Sequence, residues 1–185
     1  MSDDKKLDFY FQNYEVIDQW VDLRQEAIDR MDGAIINAVQ QMNLDDVLRP
    51  VPIEVRQQDR LLLQFALGET RRDQQCIELN WVASELFRPG TRHEWPTIAL
   101  VAHPRTDPQL RAEIFQATKE YADSRSFERS GTGWWIRHKS LQPSTIPFDI
   151  DEYAQYCAQF FFEVWDAVSE KEIAVIERFN ASITR

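Results

Sequence analysis

Glycine, cysteine and long apolar runs are all scarce in this chain of 185 residues. Five glycines are few for a sandwich or barrel of many short strands joined by tight turns. The two cysteines, Cys76 and Cys157, belong to no CxxC pair. They read as two buried thiols in a reducing compartment, with a disulfide between strand and helix as the alternative. The longest apolar runs, such as Phe160–Phe162, are short and flanked by polar residues, which excludes a membrane span. The opening stretch, MSDDKKLDFYFQNYE, has no apolar core of signal-peptide length. The expectation is a soluble, cytoplasmic protein. The phosphate-binding and nucleophile signatures G-x-G-x-x-G, G-x-x-x-x-G-K and G-x-S-x-G are also missing.

What is abundant is acid, unevenly placed. The formal charge is −10. Residues 1–55 carry 5 Lys and Arg against 12 Asp and Glu, residues 56–139 carry 13 against 11, and residues 140–185 carry 3 against 8. Two acidic ends thus flank a near-neutral middle. Such a field repels nucleic acid at the ends and leaves any anion-binding surface to the middle. Apolar content of 43% and aromatic content of 12% exclude disorder and supply a substantial single core.

The periodicity predicts an α+β single domain over 1–185, of order α-β-β-β-α-β-α, with a mostly antiparallel four-stranded sheet between long N- and C-terminal helices. Residues 1–6 read as a flexible tail. Over 7–42, Tyr10, Tyr14, Ile17, Val21, Ile28, Met31, Ile35, Val39 and Met42 recur at helical spacing, and Val16, Trp20, Leu23, Ala27 and Ala34 widen the stripe. A stripe that broad suits a helix buried along much of its length. Gly33 marks a possible break. Three strands are predicted within 61–102, the second running Cys76–Phe87 with Ile77, Leu79, Trp81 and Ala83 on one face. Asp107-Pro108 starts a helix over 108–123, and 132–140 is the fourth strand. The last helix, 149–180, has Asp149 as N-cap, Glu152 as its capping-box partner and a Phe148–Tyr153 staple, with an interruption possible near Ser169.

The helix, three strands, helix and strand over residues 7–140 resemble the core order of PD-(D/E)XK nuclease-like domains. That resemblance implies an acid on one strand and an acid-x-Lys pair on the next, to hold a divalent cation and orient water. The acids available are Glu78 and Glu85, both on the second strand. The next strand, TIALVAH, has neither acid nor Lys, and the acid-x-Lys of this chain is Asp4-Lys5-Lys6 near its start. A degenerate relative fits better than a working nuclease. His93, His103 and His138 show no metal-ligand spacing. His103, closing the central strand, is the best single catalytic position in an open sheet. Cys76 has Arg71 and Arg72 nearby but no His-Asp partner pattern. No catalytic set, metal site or cofactor is expected.

A basic and aromatic set does lie in the middle: Arg71, Arg72, Arg92, His93, Trp95, His103, Trp135, Arg137 and Lys139, with Arg88, Trp134 and His138 beside them. Bases stack on aromatics while cations hold phosphates, so these are the candidate binding residues for nucleic acid or nucleotide. The competing reading makes Trp134 and Trp135 core residues on opposite sides of one strand. The favoured expectation is a non-enzymatic, acidic protein-interaction module, with a protein partner or a second copy as its target. An accessory, immunity-type or inhibitor role in a bacterium or phage is compatible with it. Nucleic-acid binding through the middle is the alternative. DNA mimicry by Asp18, Asp22, Glu26 and Asp29 is the second alternative.

Overall fold

The computed structural model describes residues 3–44, 52–57, 60–66, 75–88, 90–91, 94–102, 106–129, 133–144 and 148–183. It is an α+β chain of order α1 (Asp3–Leu44), β1 (Ile53–Gln57), β2 (Arg60–Ala66), β3 (Gln75–Val82), β4 (Thr97–Ala102), α2 (Pro108–Ala117), α3 (Lys119–Ser124), β5 (Glu128–Arg129), β6 (Trp135–Ser140) and α4 (Ile150–Ile183). The sheet is antiparallel throughout, in the order β1-β2-β3-β4-β6-β5.

The class follows the sequence, but the sheet has six strands rather than four. The extra β1 contributes only Ile53 and Val55 as apolar residues and sits beside Pro52, so its periodicity is too short to stand out. β5 is two residues long. The second predicted strand stops at Val82, because the N–H groups of Glu85 and Leu86 both donate to the Val82 carbonyl and turn the chain. Glu85 therefore lies in a turn, away from Glu78. The helical segment after β4 divides at Thr118 into α2 and α3.

Both long helices exceed their predicted bounds. α1 starts at Asp3, so Lys5 and Lys6 are helical rather than tail, and it runs through Gly33 without a break. α4 passes Ser169 uninterrupted. Its start carries the expected N-cap and staple. Asp149 Oδ1 accepts from the N–H groups of Asp151 and Glu152 at 2.9 and 3.0 Å, and the Phe148 and Tyr153 rings lie 5.0 Å apart as a staple. Asp107 caps α2 in the same way, accepting from Gln109 N–H at 2.7 Å.

Strand alternation divides the sheet into two faces. Leu61, Leu63 and Phe65 of β2, Ile77, Leu79 and Trp81 of β3, and Ile98, Leu100 and Ala102 of β4 form the main core with α1, α2 and α4. Phe65 stacks on Phe161 at 4.6 Å and meets Phe162 and Trp165. α1 joins this core through Ile28, Met31, Ile35, Ala38 and Val39. A register shift between Leu100 and Val101 lets β6 send Ile136 to the main core while Trp135 packs on the other face with Cys76, Ala99 and Val101.

Candidate interaction surface

The N-terminal part of α1 is exposed where the stripe predicted burial. Leu7, Phe9, Tyr10, Phe11, Tyr14, Val16, Trp20, Val21 and Leu23 are 41–70% exposed, whereas Ile28, Met31 and Ile35 are at most 2% exposed. The transition is marked by two anchors. Arg24 donates to the carbonyls of Ser84 and Leu86 after β3, and Arg30 pairs with Asp151 in the first turn of α4 at 3.5 Å. Residues 3–27 therefore form a stalk of ~37 Å, at about 1.5 Å per residue.

The stalk is not randomly apolar. Leu7, Tyr10, Tyr14, Ile17, Val21, Arg24, Ile28, Met31, Ile35 and Ala38 alternate three and four residues apart without a slip. This is the spacing of a helix-packing seam, and its second half is the part buried in the core. A parallel row, Phe9, Asn13, Val16, Trp20, Leu23 and Ala27, keeps the same alternation. Asp8, Glu15, Asp22 and Asp29, seven residues apart, make a narrow acidic ridge on the remaining side. The apolar arc thus covers more than half of the stalk's circumference. The sequence contains this alternation, but helical spacing does not distinguish a buried stripe from one awaiting a partner.

The residues singled out for nucleic-acid binding are dispersed among those described. Trp95 is core, against Phe87, Phe148 and Tyr153. Trp135 is buried on the opposite face of the sheet, and Trp134, just before β6, is 49% exposed instead of covering core. Arg137 is 5% exposed; its Nη1 donates to Asp123 at 2.8 Å and its guanidinium lies 4.3 Å from the Phe115 ring centre. Lys139 donates to the Arg125 carbonyl and stands over Phe160. Arg71, Arg72, Arg92, His93 and His103 lie outside the described residues.

Sequence reading missed a buried polar network on that opposite face. Glu78 Oε1 accepts from Trp135 Nε1 at 2.7 Å and from Asn80 Nδ2 at 3.0 Å. Burial pushes the Glu78 carboxyl up, against the lowering effect of its bonds to Trp135 and Gln64 and of the Arg60 charge. Cys76 is pushed well up by burial, and Glu78 and Glu172 add to the shift; this is the reverse of an activated thiolate. Cys76 and Cys157 are both buried free thiols. Glu172 of α4 is 2% exposed. Its Oε1 has no hydrogen-bond partner among the described residues, and burial pushes its carboxyl up to about 8.

A cleft of about 430 Å³ lies at the start of α4, lined by Gln142, Ser144, Phe148, Asp149, Glu152 and Tyr156 among others. Its Asp149 is already engaged as the helix cap. Among the described residues no His, Cys, Asp and Glu cluster could hold a metal ion, and no helix is long and apolar enough to cross a membrane. Comparison with protein-family models, curated proteins and solved structures gives no significant match, so the resemblance in element order to nuclease-like domains has no detectable counterpart in overall similarity.

Proposed function

We propose that this chain is a non-enzymatic protein-interaction module that docks through the stalk of α1. One observation carries the reading: an apolar seam buried from Ile28 onward continues in phase through Val21, Tyr14, Tyr10 and Leu7, and with Phe9, Phe11, Val16, Trp20 and Leu23 around them nine large side chains stand about half exposed. Nine such side chains, each about half exposed, present on the order of 1,000 Å² of apolar surface. The largest patch on a typical monomer is roughly 300–600 Å², while one side of a standard protein interface is about 800 Å². An accessory, immunity-type or inhibitor role fits a module of this kind.

The test compares tagged wild type with a Leu7→Glu/Val21→Glu variant in native lysate that also holds untagged chain. Wild type is expected to retain a specific protein, foreign or untagged copy, that the variant loses. Retention by both, or by neither, removes the reading.

The acidic ridge supports DNA mimicry as a second reading. That reading expects a basic DNA-binding protein to be displaced by DNA, and reversal of Asp22 and Asp29 to Lys to abolish its capture. Insensitivity to both excludes it.

A further inference from the structure

We infer that the cleft at the start of α4 binds a quaternary ammonium group, held between aromatic rings and two carboxylates. This site is separate from the stalk, and its occupancy does not depend on what docks there.

The cleft has the size and the wall for such a group. Its volume of about 430 Å³ falls within the roughly 300–1,000 Å³ of small-molecule sites. The Phe148 and Tyr153 ring centres lie 5.0 Å apart, and Tyr156 follows Tyr153 at 6.3 Å. Trp95 backs these rings from the core, 5.7 Å from Phe148 and 6.1 Å from Tyr153. The wall is therefore in place before a ligand arrives. Tyr153 is 4% exposed and its hydroxyl donates to the Leu141 carbonyl, so it offers the cleft its ring rather than its hydroxyl.

The rim is acidic. Asp149 and Glu152 line the cleft, and no Lys, Arg or His does so among the described residues. Both cap bonds fall on Asp149 Oδ1, which leaves Oδ2 to a ligand. Glu152 stands where a capping-box partner would, yet its carboxylate makes no hydrogen bond or ion pair among the described residues. Two cations near the cleft have acids of their own. Arg30 pairs with Asp151, and Arg125, whose charge reaches Tyr156, pairs with Glu163. The partial positive charge at the start of α4 is opposed by Asp149, Asp151 and Glu152 together.

This combination selects the ligand class. Ring faces are negative and attract an ammonium group, and the two carboxylates add opposite charge. An anion would meet like charges instead. A metal ion needs more ligands than Asp149 and Glu152, and among the described residues no cluster supplies them. A neutral apolar ligand would draw water from both carboxylates without offering a partner. Methyl groups on the nitrogen suit a wall of three rings, whereas a primary ammonium brings three N–H donors to satisfy. The ammonium belongs either to a free small molecule or to a methylated lysine of a protein.

Saturation-transfer NMR on the full chain tests the site with three probes: choline, a short trimethyllysine peptide, and 3,3-dimethylbutanol, the uncharged carbon isostere of choline. Choline or the peptide should bind in the millimolar range or tighter, and the isostere at least about fivefold more weakly. Glu152→Gln and Tyr156→Leu should each weaken binding about fivefold. Both side chains are exposed, so circular dichroism of either variant should match wild type. Asp151→Asn, on the same turn but outside the lining of the cleft, should leave binding unchanged. Tighter binding of choline assigns the free cation, and tighter binding of the peptide assigns a protein side chain. Failure of both cations to bind, or equal binding of the isostere, overturns the ligand class. Unchanged binding in Glu152→Gln or in Tyr156→Leu, or an equal loss in Asp151→Asn, overturns the site.

Discussion

The indole Nε1 of Trp135 reaches Glu78 Oε1 at 2.7 Å although the two residues lie on strands that do not touch. β4 runs between them, and Ala99, paired with Glu78 on one side and His138 on the other, is the residue crossed. A methyl group there leaves room for the indole above the sheet. Ala99 is fully buried as a result, and Glu78 gains the donor that makes its burial tolerable.

Removing that donor should cost more than the lost indole surface suggests. Trp135→Phe leaves a buried carboxylate oxygen with Asn80 as its remaining close donor, for a loss of about 1–3 kcal/mol in urea unfolding. The loss should grow as pH rises, because the variant's Glu78 binds its proton more tightly. A pH-independent loss would show that Glu78 gains nothing from the bond.

Enlarging the crossing point should act through the same contact. Ala99→Leu forces the indole off the sheet and should destabilise by about 1–3 kcal/mol. In a Trp135→Ala background the penalty should shrink, since the obstructed ring is gone. Equal penalties in both backgrounds would place the clash elsewhere.

Gly33 is an avoidable weakness. It lies inside a continuous helix, and a Cβ added there meets nothing within 4 Å. Gly33→Ala should stabilise the chain by about 1 kcal/mol, or about 2–4 °C in melting temperature for a chain of this size. No gain would indicate that α1 is not helical through residue 33 in solution.

Glu172 makes stability depend on pH. Burial raises its folded pKa to about 8, above the ordinary glutamate value of 4.5. The unfolded chain thus releases the proton first as pH rises. The folded state is not disadvantaged below about 4.5, loses stability between about 4.5 and 8, and levels off above. At roughly 1.4 kcal/mol per pK unit, the whole span amounts to a few kcal/mol. Glu172→Gln should remove this decline when urea midpoints at pH 5 and pH 8.5 are compared with wild type. Glu78 and Cys76 titrate with the same sign, so the difference between variant and wild type is the quantity to measure.

Arg137 shows how a binding test can mislead. Its guanidinium is held between Asp123 and Phe115 in a nearly closed site. Arg137→Ala should therefore lower stability by about 1–3 kcal/mol. Lost ligand binding in that variant should be judged against its unfolding curve; an unchanged curve would free Arg137 for a surface role.

The sequence alone determined the class of the fold, both long helices and the caps of α2 and α4. Those features depend on neighbours within about four residues, such as Asp149 with Asp151 and Glu152, or Phe148 with Tyr153. Alternation likewise separated Ile77, Leu79 and Trp81 from Glu78 and Asn80. Only the tertiary structure decided that Glu78 is buried, that Trp135 crosses β4 to reach it, and that Arg137 and Trp95 are interior. Each of these rests on partners far away in sequence, brought near by sheet register, which local spacing does not encode. The stalk is the clearest case. One seam runs from Leu7 to Ala38 in a single phase, yet the body covers it only from Ile28, because α4 begins beside Arg30. A periodic stripe specifies that a face must be covered, and only the placement of the other elements determines which part of it the chain covers by itself.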